Sequence, residues 1–319
     1  MAPVEPGYSG AKRTDVVIVN WNGGEGLLEC VRSVVEHGPP LVDGIIVVDN
    51  DSSDGSDKLV ERLQGVSVVR PGENLGFAKA CNLGARRGTA EFILFLNPDA
   101  QLFQNTLRSA LEFLDRPENA KVGIAGVQLA DESGVIARSS SRFPTAGRIV
   151  ARATALDRLF PELGAPMWEW DHSSTRKVDQ VIGAFFLMRR RVYDAVGGFD
   201  ERFFVYYEEV DVAFRARELG WSSAYVGGVR AFHAGGGTTY QVKAKRLFYS
   251  LRSRILYAFK HFSRPAAVTV LLATLLIEPV SRSVLAIGRL SWRSLSETWS
   301  AYGMLGRWLP RWTSRGDTR

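Results

Sequence analysis

The chain is poor in cysteine, histidine and methionine, with two, four and four among 319 residues. Cys30 and Cys81 form no Cys-x-x-Cys pair and no secretory signal opens the sequence, which excludes a disulfide framework and leads us to expect a reducing, cytoplasmic compartment. Long apolar runs are scarce. The run at 266–277, bounded by Pro265 and by Glu278-Pro279, is apolar for twelve residues, too short to cross about 30 Å of hydrocarbon as a helix. Positive charge is also missing where a nucleic acid would need it: residues 241–319 hold 14 Lys/Arg against 3 Asp/Glu, a surplus of +11 against +6 overall, so residues 1–240 carry −5.

What is present is ordinary for a folded protein: 45% hydrophobic and 23% charged residues, enough to bury one large core or two modest ones. Residues 1–13 lack periodicity and read as a loose leader. From Asp15 the chain alternates. Val16-Val17-Ile18-Val19, Gly44-Ile45-Ile46-Val47-Val48, Val66-Ser67-Val68-Val69 and Phe92-Ile93-Leu94-Phe95-Leu96 are buried-strand patterns, separated by helical spacings such as Leu27, Leu28, Val31, Val34 and Val35. Four such units predict a mainly parallel sheet with helices on both faces and right-handed crossovers. A helix over 102–114 and a strand over 122–127 follow. Residues 131–180 lose the rhythm, apart from a helix near 147–160, and a long irregular stretch in a compact domain points to a functional loop. A strand over 181–188 holds Gly183-Ala184, small residues that permit close approach of a backbone or ligand.

Three places carry chemistry. Asn97-Pro98 stops the buried strand and leaves Asp99 at its carboxyl end, where open parallel sheets bind ligands; the same tripeptide also makes a good turn. Glu208-Glu209-Val210-Asp211 opens a helix behind the aromatic run Phe203-Phe204-Val205-Tyr206-Tyr207. Acids in a first turn complement the helix dipole, but apolar surroundings raise a carboxyl pKa toward that of a general base. Glu208 and Asp211 share a face at i, i+3 while Glu209 points elsewhere, which lets one acid position and another react. His233 borders Gly235-Gly236-Gly237-Thr238-Thr239, a loop whose amides could approach a diphosphate. His37, His172 and His261 have no such setting and are expected to be structural or exposed.

Together these stretches resemble the family-2 glycosyltransferases of the GT-A fold, in the rhamnosyltransferase-like branch that extends bacterial surface polysaccharides. The resemblance spans roughly residues 15–240 and rests on the order of Val19-Asn20-Trp21-Asn22, Val48-Asp49-Asn50, Asn74-Leu75-Gly76-Phe77 with Asn82, Asn97-Pro98-Asp99, Gly183-Ala184, Gly198-Phe199-Asp200-Glu201, Tyr207-Glu208-Glu209-Val210-Asp211 and His233. It implies an α/β, Rossmann-like mixed sheet, with a donor half near 14–127 and an acceptor half near 128–240. Asn20, Trp21, Asp49, Asn74, Gly76, Lys79, Asn97 and Asp99 would then bind the nucleotide donor, Asp49 meeting its base. Asn97-Pro98-Asp99 is similar to the family's metal-binding Asp-x-Asp with its first acid replaced. Asp99 and His233 would hold Mg²⁺ or Mn²⁺. Gly183, Ala184, Trp170 and Glu208 would face the acceptor. Glu209 is the implied base, with Asp211 as runner-up, in a single displacement with inversion. The implied donor is a nucleoside-diphosphate sugar, with dTDP-L-rhamnose the first choice.

The tail, 241–319, begins as a basic amphipathic helix and ends with Trp292, Trp299, Trp308 and Trp312 interleaved with arginines. Trp and Arg suit a bilayer interface, so the expectation is a monotopic association with the inner membrane face and a lipid-linked glycan acceptor. A helix packed on the domain, or a homo-oligomer interface, is the alternative. Two other functions would leave different marks. A nucleotidyl transferase would carry a basic Gly-rich loop after the first strand, where Asn20-Trp21-Asn22-Gly23-Gly24-Glu25 has no cation. A non-catalytic membrane-surface scaffold would neither turn over nor be stabilised by nucleotides.

Overall fold

A computed structural model describes residues 14–235, 242–316 and 318. The expected leader and the Gly236-Gly237-Thr238-Thr239 stretch lie outside the described residues. The elements run β1 (Thr14–Asn20), α1 (Gly24–His37), β2 (Val42–Asp49), α2 (Ser56–Val60), β3 (Val66–Val69), α3 (Phe77–Ala85), β4 (Phe92–Leu96), β5 (Ala100–Leu102), α4 (Thr106–Asp115) and β6 (Val122–Ala130). They continue with β7 (Ser140–Ser141), α5 (Ala146–Ala153), β8 (Arg176–Val178), β9 (Gln180–Val181), β10 (Phe185–Arg189), α6 (Arg190–Val196), α7 (Glu208–Glu218) and β11 (Ser222–His233). The tail supplies α8 (Lys243–His261), α9 (Arg264–Leu272), α10 (Glu278–Gly288) and α11 (Trp292–Arg315).

The main sheet has the order β3-β2-β1-β4-β10-β6-β11-β5, with β8 on β11. β3, β2, β1 and β4 are parallel, as expected, and β10 runs antiparallel between β4 and β6. β6 and β11 are again parallel. The consequence for function is geometric: the ends of β1, β2, β4 and β11 and the start of β10 meet at one edge. Apolar residues bury on both faces of β1 and β4, which is why they read as unbroken runs rather than alternating ones.

Several expectations need correction. The strand over 181–188 is two, β9 and β10, because 182–184 turns between them. The helix over 102–114 starts at Thr106, because Ala100–Leu102 pairs with β11 instead. The helix near 147–160 ends at Ala153. The last strand, β11, has a register shift between Val226 and Arg230 where Gly228 takes φ 81°.

The tail departs furthest. α8 is a core helix: Leu251, Ile255, Leu256 and Tyr257 join the same apolar cluster as Val17, Phe95 and Phe186. Its basic residues are not all on the outside, since Arg252 and Arg254 are buried. Nor does Glu278-Pro279 close a short helix. Residues Arg264–Gly288 form one 25-residue helical run, long and apolar enough by length and composition to cross a bilayer. A π turn, Ala273–Ile277, precedes Pro279 and accommodates the missing amide donor. Ala267, Val270 and Ala273 bury one side of this run against the domain, and Glu278 pairs with Arg254 of α8 at 2.6 Å and with Arg282 at 2.7 Å.

Candidate functional site

Asn20 ends β1 beside Asp49 of β2, its register partner. The Asn20 amide reaches Asp49 Oδ1 at 2.8 Å and the hydroxyls of Ser52 (3.1 Å) and Ser56 (2.8 Å), while its carbonyl oxygen accepts from the Gly23 amide at 3.1 Å. The Ser52 amide donates to Asp49 Oδ2. This network fixes the Asp49 carboxylate at the edge of a cavity of about 560 Å³ lined also by Ser53, Lys58 and Arg70, large enough for a nucleoside. Trp21 stays partly exposed in the loop after β1.

Asn50 carries the edge onward. Its side chain accepts from the Leu75 amide and donates to the Gly76 carbonyl, and the Asn74 side chain accepts from the Gly76 amide. Gly76 sits at φ 78°, and a Cβ there would lie 2.5 Å from the Phe204 carbonyl oxygen. Only glycine allows this approach, which lets the Phe77 amide donate to that carbonyl at 2.6 Å. Lys79, partly exposed, lies in the first turn of α3. Asn82, deeper in α3, clamps the chain before the acids: its oxygen accepts from the Phe199 amide and the Tyr193 hydroxyl, and its nitrogen donates to the Phe199 carbonyl and to Glu201.

At the end of β4, the Asn97 amide donates to the Ala184 carbonyl at 3.0 Å, and the Gly183 Cα lies beside the Phe77 ring with room left open. The β5–β11 register puts His233 opposite Ala100, so His233 Nε2 lies 3.3 Å from Asp99 Oδ1. Among the described residues no group of three or more His, Cys, Asp or Glu is placed to hold a metal ion. A carboxylate and an imidazole, both partly buried, fit a divalent ion that draws its remaining ligands from water and phosphate oxygens.

The acid turn is built under strain. Tyr206 and Tyr207 both take left-handed backbone, at φ 69° and 71°, immediately before α7. Glu208 is buried, and burial first, then the neighbouring Glu209 carboxylate, raises its pKa well above the ordinary range. Burial raises Glu209 as well, though it is less enclosed. Neither Oε2 has a hydrogen-bond partner among the described residues. Asp211, one turn on, is the opposite case. It is fully buried, and burial alone would raise it, but His261 Nε2 (2.7 Å), Arg215 Nε (2.8 Å) and Lys260 Nζ (2.6 Å) outweigh that and hold it below the ordinary carboxylate range.

Two expectations therefore change. Asp211, the runner-up base, is committed to Arg215, Lys260 and His261 and anchors α8 to α7. Trp170 does not face an acceptor: it is buried, stacked on His172 at 4.1 Å and edge-on to Tyr225 at 5.0 Å. Sequence reasoning missed Lys260 and His261, about fifty residues from their partner with no local signal. The paired left-handed tyrosines could have been suspected only from the aromatic run ahead of the acids.

The description Glycosyl transferase family 2 matches residues 15–197 of this chain. An N-acetylglucosaminyl-diphospho-decaprenol L-rhamnosyltransferase of Mycobacterium tuberculosis is 29% identical over 228 residues, covering 67% of this chain and 73% of that protein. A mannosyltransferase of Pyrobaculum calidifontis, solved with GDP-Man and Mn²⁺, superimposes with a TM-score of 0.57 at 19% identity over 98% of this chain and 84% of its own. GalNAc-T7, solved with UDP, GalNAc and Mn²⁺, gives 0.54 at 15% identity over 77% and 47%. These two share the fold.

Proposed function

This chain belongs to glycosyl transferase family 2, in its rhamnosyltransferase-like branch, and from that membership we propose that it transfers L-rhamnose from dTDP-L-rhamnose, with inversion, to a polyprenyl-diphosphate-linked glycan. The observation that carries the enzymatic reading is the contrast at α7: Glu208 and Glu209 hold raised-pKa carboxyls whose Oε2 atoms have no hydrogen-bond partner among the described residues, next to an Asp211 paired with Arg215, Lys260 and His261. Glu208 is the more strongly raised of the two, by burial and by the Glu209 carboxylate beside it. Glu209, less enclosed, is the base that takes the proton of the acceptor hydroxyl. As the hydroxyl oxygen bonds to the anomeric carbon, the bond from that carbon to the diphosphate oxygen breaks and the nucleoside diphosphate leaves.

Asn20, Asp49, Asn74 and Gly76 order the nucleotide side of the edge, with Trp21 and Lys79 flanking it. Asp99 and His233 would hold the divalent ion, with Asn97 beside them, and the bound ion neutralises charge on the departing diphosphate. Gly183 and Ala184 leave space between the two halves for the sugar. The rhamnose choice rests on the mycobacterial relative.

The protein works at the inner face of the membrane. Val268, Leu272, Leu276, Val280, Val284 and Ile287 recur every three or four residues on the exposed side of the 264–288 run, and Leu290 and Trp292 continue that apolar surface. With Glu278 buried on the other side, the run lies along a bilayer surface rather than through it. Arginines of the tail meet anionic head groups.

A panel of dTDP-, UDP- and GDP-sugars with Mn²⁺, read by thermal shift and then by transfer to a polyprenyl-diphosphate N-acetylglucosamine, tests the reading. Stabilisation and transfer should be largest with dTDP-L-rhamnose. Preferential transfer from a UDP- or GDP-sugar replaces the donor assignment, and neither stabilisation nor turnover with any donor supports a scaffold.

A further inference from the structure

A second cavity, of about 210 Å³, opens between the turn after α5, α10 and the first turns of α11. That is about seven times the roughly 30 Å³ share of a water molecule in the liquid. Arg152, Arg158, Arg282 and Arg289 line it, against one acid, Glu278, which Arg254 already shares. Arg152 is offset by Asp157 at 2.9 Å and Arg282 by Glu278. Arg158 and Arg289 have no carboxylate partner among the described residues. Cations that converge without matching acids repel one another, so the arrangement gains stability when an anion enters. Guanidinium forks suit phosphate oxygens in particular, and Ser294, in the first turn of α11, adds a hydroxyl at the positive end of a helix.

The position of the cavity narrows the ligand. Its α10 wall is the back of the exposed apolar face bearing Val280, Val284 and Ile287. Tyr207 stands two residues before Glu209 in the chain. That phenol is held above its ordinary value by burial, with Arg254, Glu278, Glu209 and Arg152 all near enough to act on it. An anion in the cavity therefore sits behind the exposed apolar face of α10, and two residues of the cavity wall, Arg152 and Glu278, act on the same buried phenol as Glu209.

We propose that this arginine-lined cavity binds the diphosphate through which a lipid-linked acceptor carries its sugar, so that the glycan reaches Glu209 while the lipid follows the apolar face of α10. The assignment rests on the acceptor class proposed above. Inorganic pyrophosphate is the first probe, titrated calorimetrically into the full chain with the divalent metal chelated. Arg158→Ala/Arg289→Ala should weaken its binding by about tenfold or more, two lost charge-assisted contacts being ample for that. Asp99→Ala and the distant surface variant Arg116→Ala should bind it as the unaltered protein does. In transfer assays the double variant should raise KM for the polyprenyl-diphosphate acceptor by a similar factor, and Arg158→Lys/Arg289→Lys should recover part of the loss.

Unchanged pyrophosphate binding and unchanged acceptor KM in the double variant overturn the proposal. So does a loss confined to binding of phosphatidylglycerol-containing phosphatidylcholine vesicles, which makes the cavity a phospholipid head-group site. If the unaltered protein transfers to no lipid-linked acceptor yet binds pyrophosphate through Arg158 and Arg289, the acceptor reading fails while the diphosphate site stands.

Discussion

The two polar clusters of this protein obey opposite rules. At the ends of β1 and β2, Asn20, Asp49, Ser52 and Ser56 satisfy one another through hydrogen bonds between adjacent elements, and the cluster is in place before any distant segment is needed. At the start of α7, Glu208 and Glu209 carry buried oxygens without partners, while Asp211 is held by residues of α8 about fifty positions away. The first cluster is a preformed receptor. The second stores unfavourable burial of charge, and a reaction that must remove a proton can use it.

Exchanging the acids on either side of Val210 is the sharpest way to break that comparison. Glu209→Gln should lower transfer by about 10²- to 10⁴-fold, the usual worth of a general base, and leave donor-induced thermal stabilisation intact. Asp211→Asn should instead lower stability by about 3–5 kcal/mol, because it removes the buried carboxylate that Arg215, Lys260 and His261 share, measured by denaturant unfolding. An active Glu209→Gln beside a stable, inactive Asp211→Asn would reverse the two roles.

The tail that supports the acid turn can be probed next. Trp308 is 4% exposed and stacked on Trp312 at 5.2 Å, so Trp308→Ala should cost about 3–5 kcal/mol. This corrects the expectation of four interfacial tryptophans: Trp308 and Trp312 pack into the core, and only Trp292 and Trp299 of the four, 72% and 55% exposed, remain at the surface.

On the preformed side, Asp99→Ala should abolish the Mn²⁺-dependent part of donor stabilisation, the whole of which is about 2.7 kcal/mol when donor is present at a hundred times its Kd. Stabilisation that persisted undiminished would remove Asp99 from the metal site.

Acidity separates the clusters more finely. Asp211 has a lowered pKa, so the stability it contributes is present above its unfolded value of 3.8 and is lost as pH falls through the folded one. Glu209 has a raised pKa, so its contribution is present below its unfolded value of 4.5 and is lost as pH rises through the folded one. Near neutrality Glu209→Gln should therefore unfold at a slightly higher temperature than the unaltered protein. The transfer rate should fall on acidification with a midpoint above 4.5. The smallest effect belongs to Trp299→Ala, which should change stability by no more than about 0.5 kcal/mol and reduce vesicle binding.

Much of the first cluster was legible because its causes are local. Phe92–Leu96 is apolar at every position, so it reads as a strand buried on both faces, and Asn97-Pro98 must end it wherever the rest of the chain goes. The alternation of four such strands with helical spacings is likewise a property of short windows, and it specified the parallel half of the sheet. The acids of α7 were visible as a group, but not their division of labour. Pattern rules place Glu208 and Asp211 on one helix face and stop there.

The residue types, the four parallel strands and the positions of Asp49, Asp99 and Glu208-Glu209-Val210-Asp211 were thus determined by the sequence itself, through steric and hydrophobic preferences that act over a few residues. The tertiary structure decided the surroundings of each carboxylate. Protonation depends on burial and on the charge of neighbours in space, and the neighbours that settle it, Lys260 and His261 for Asp211 and the enclosing walls for Glu209, come from segments that only folding brings together.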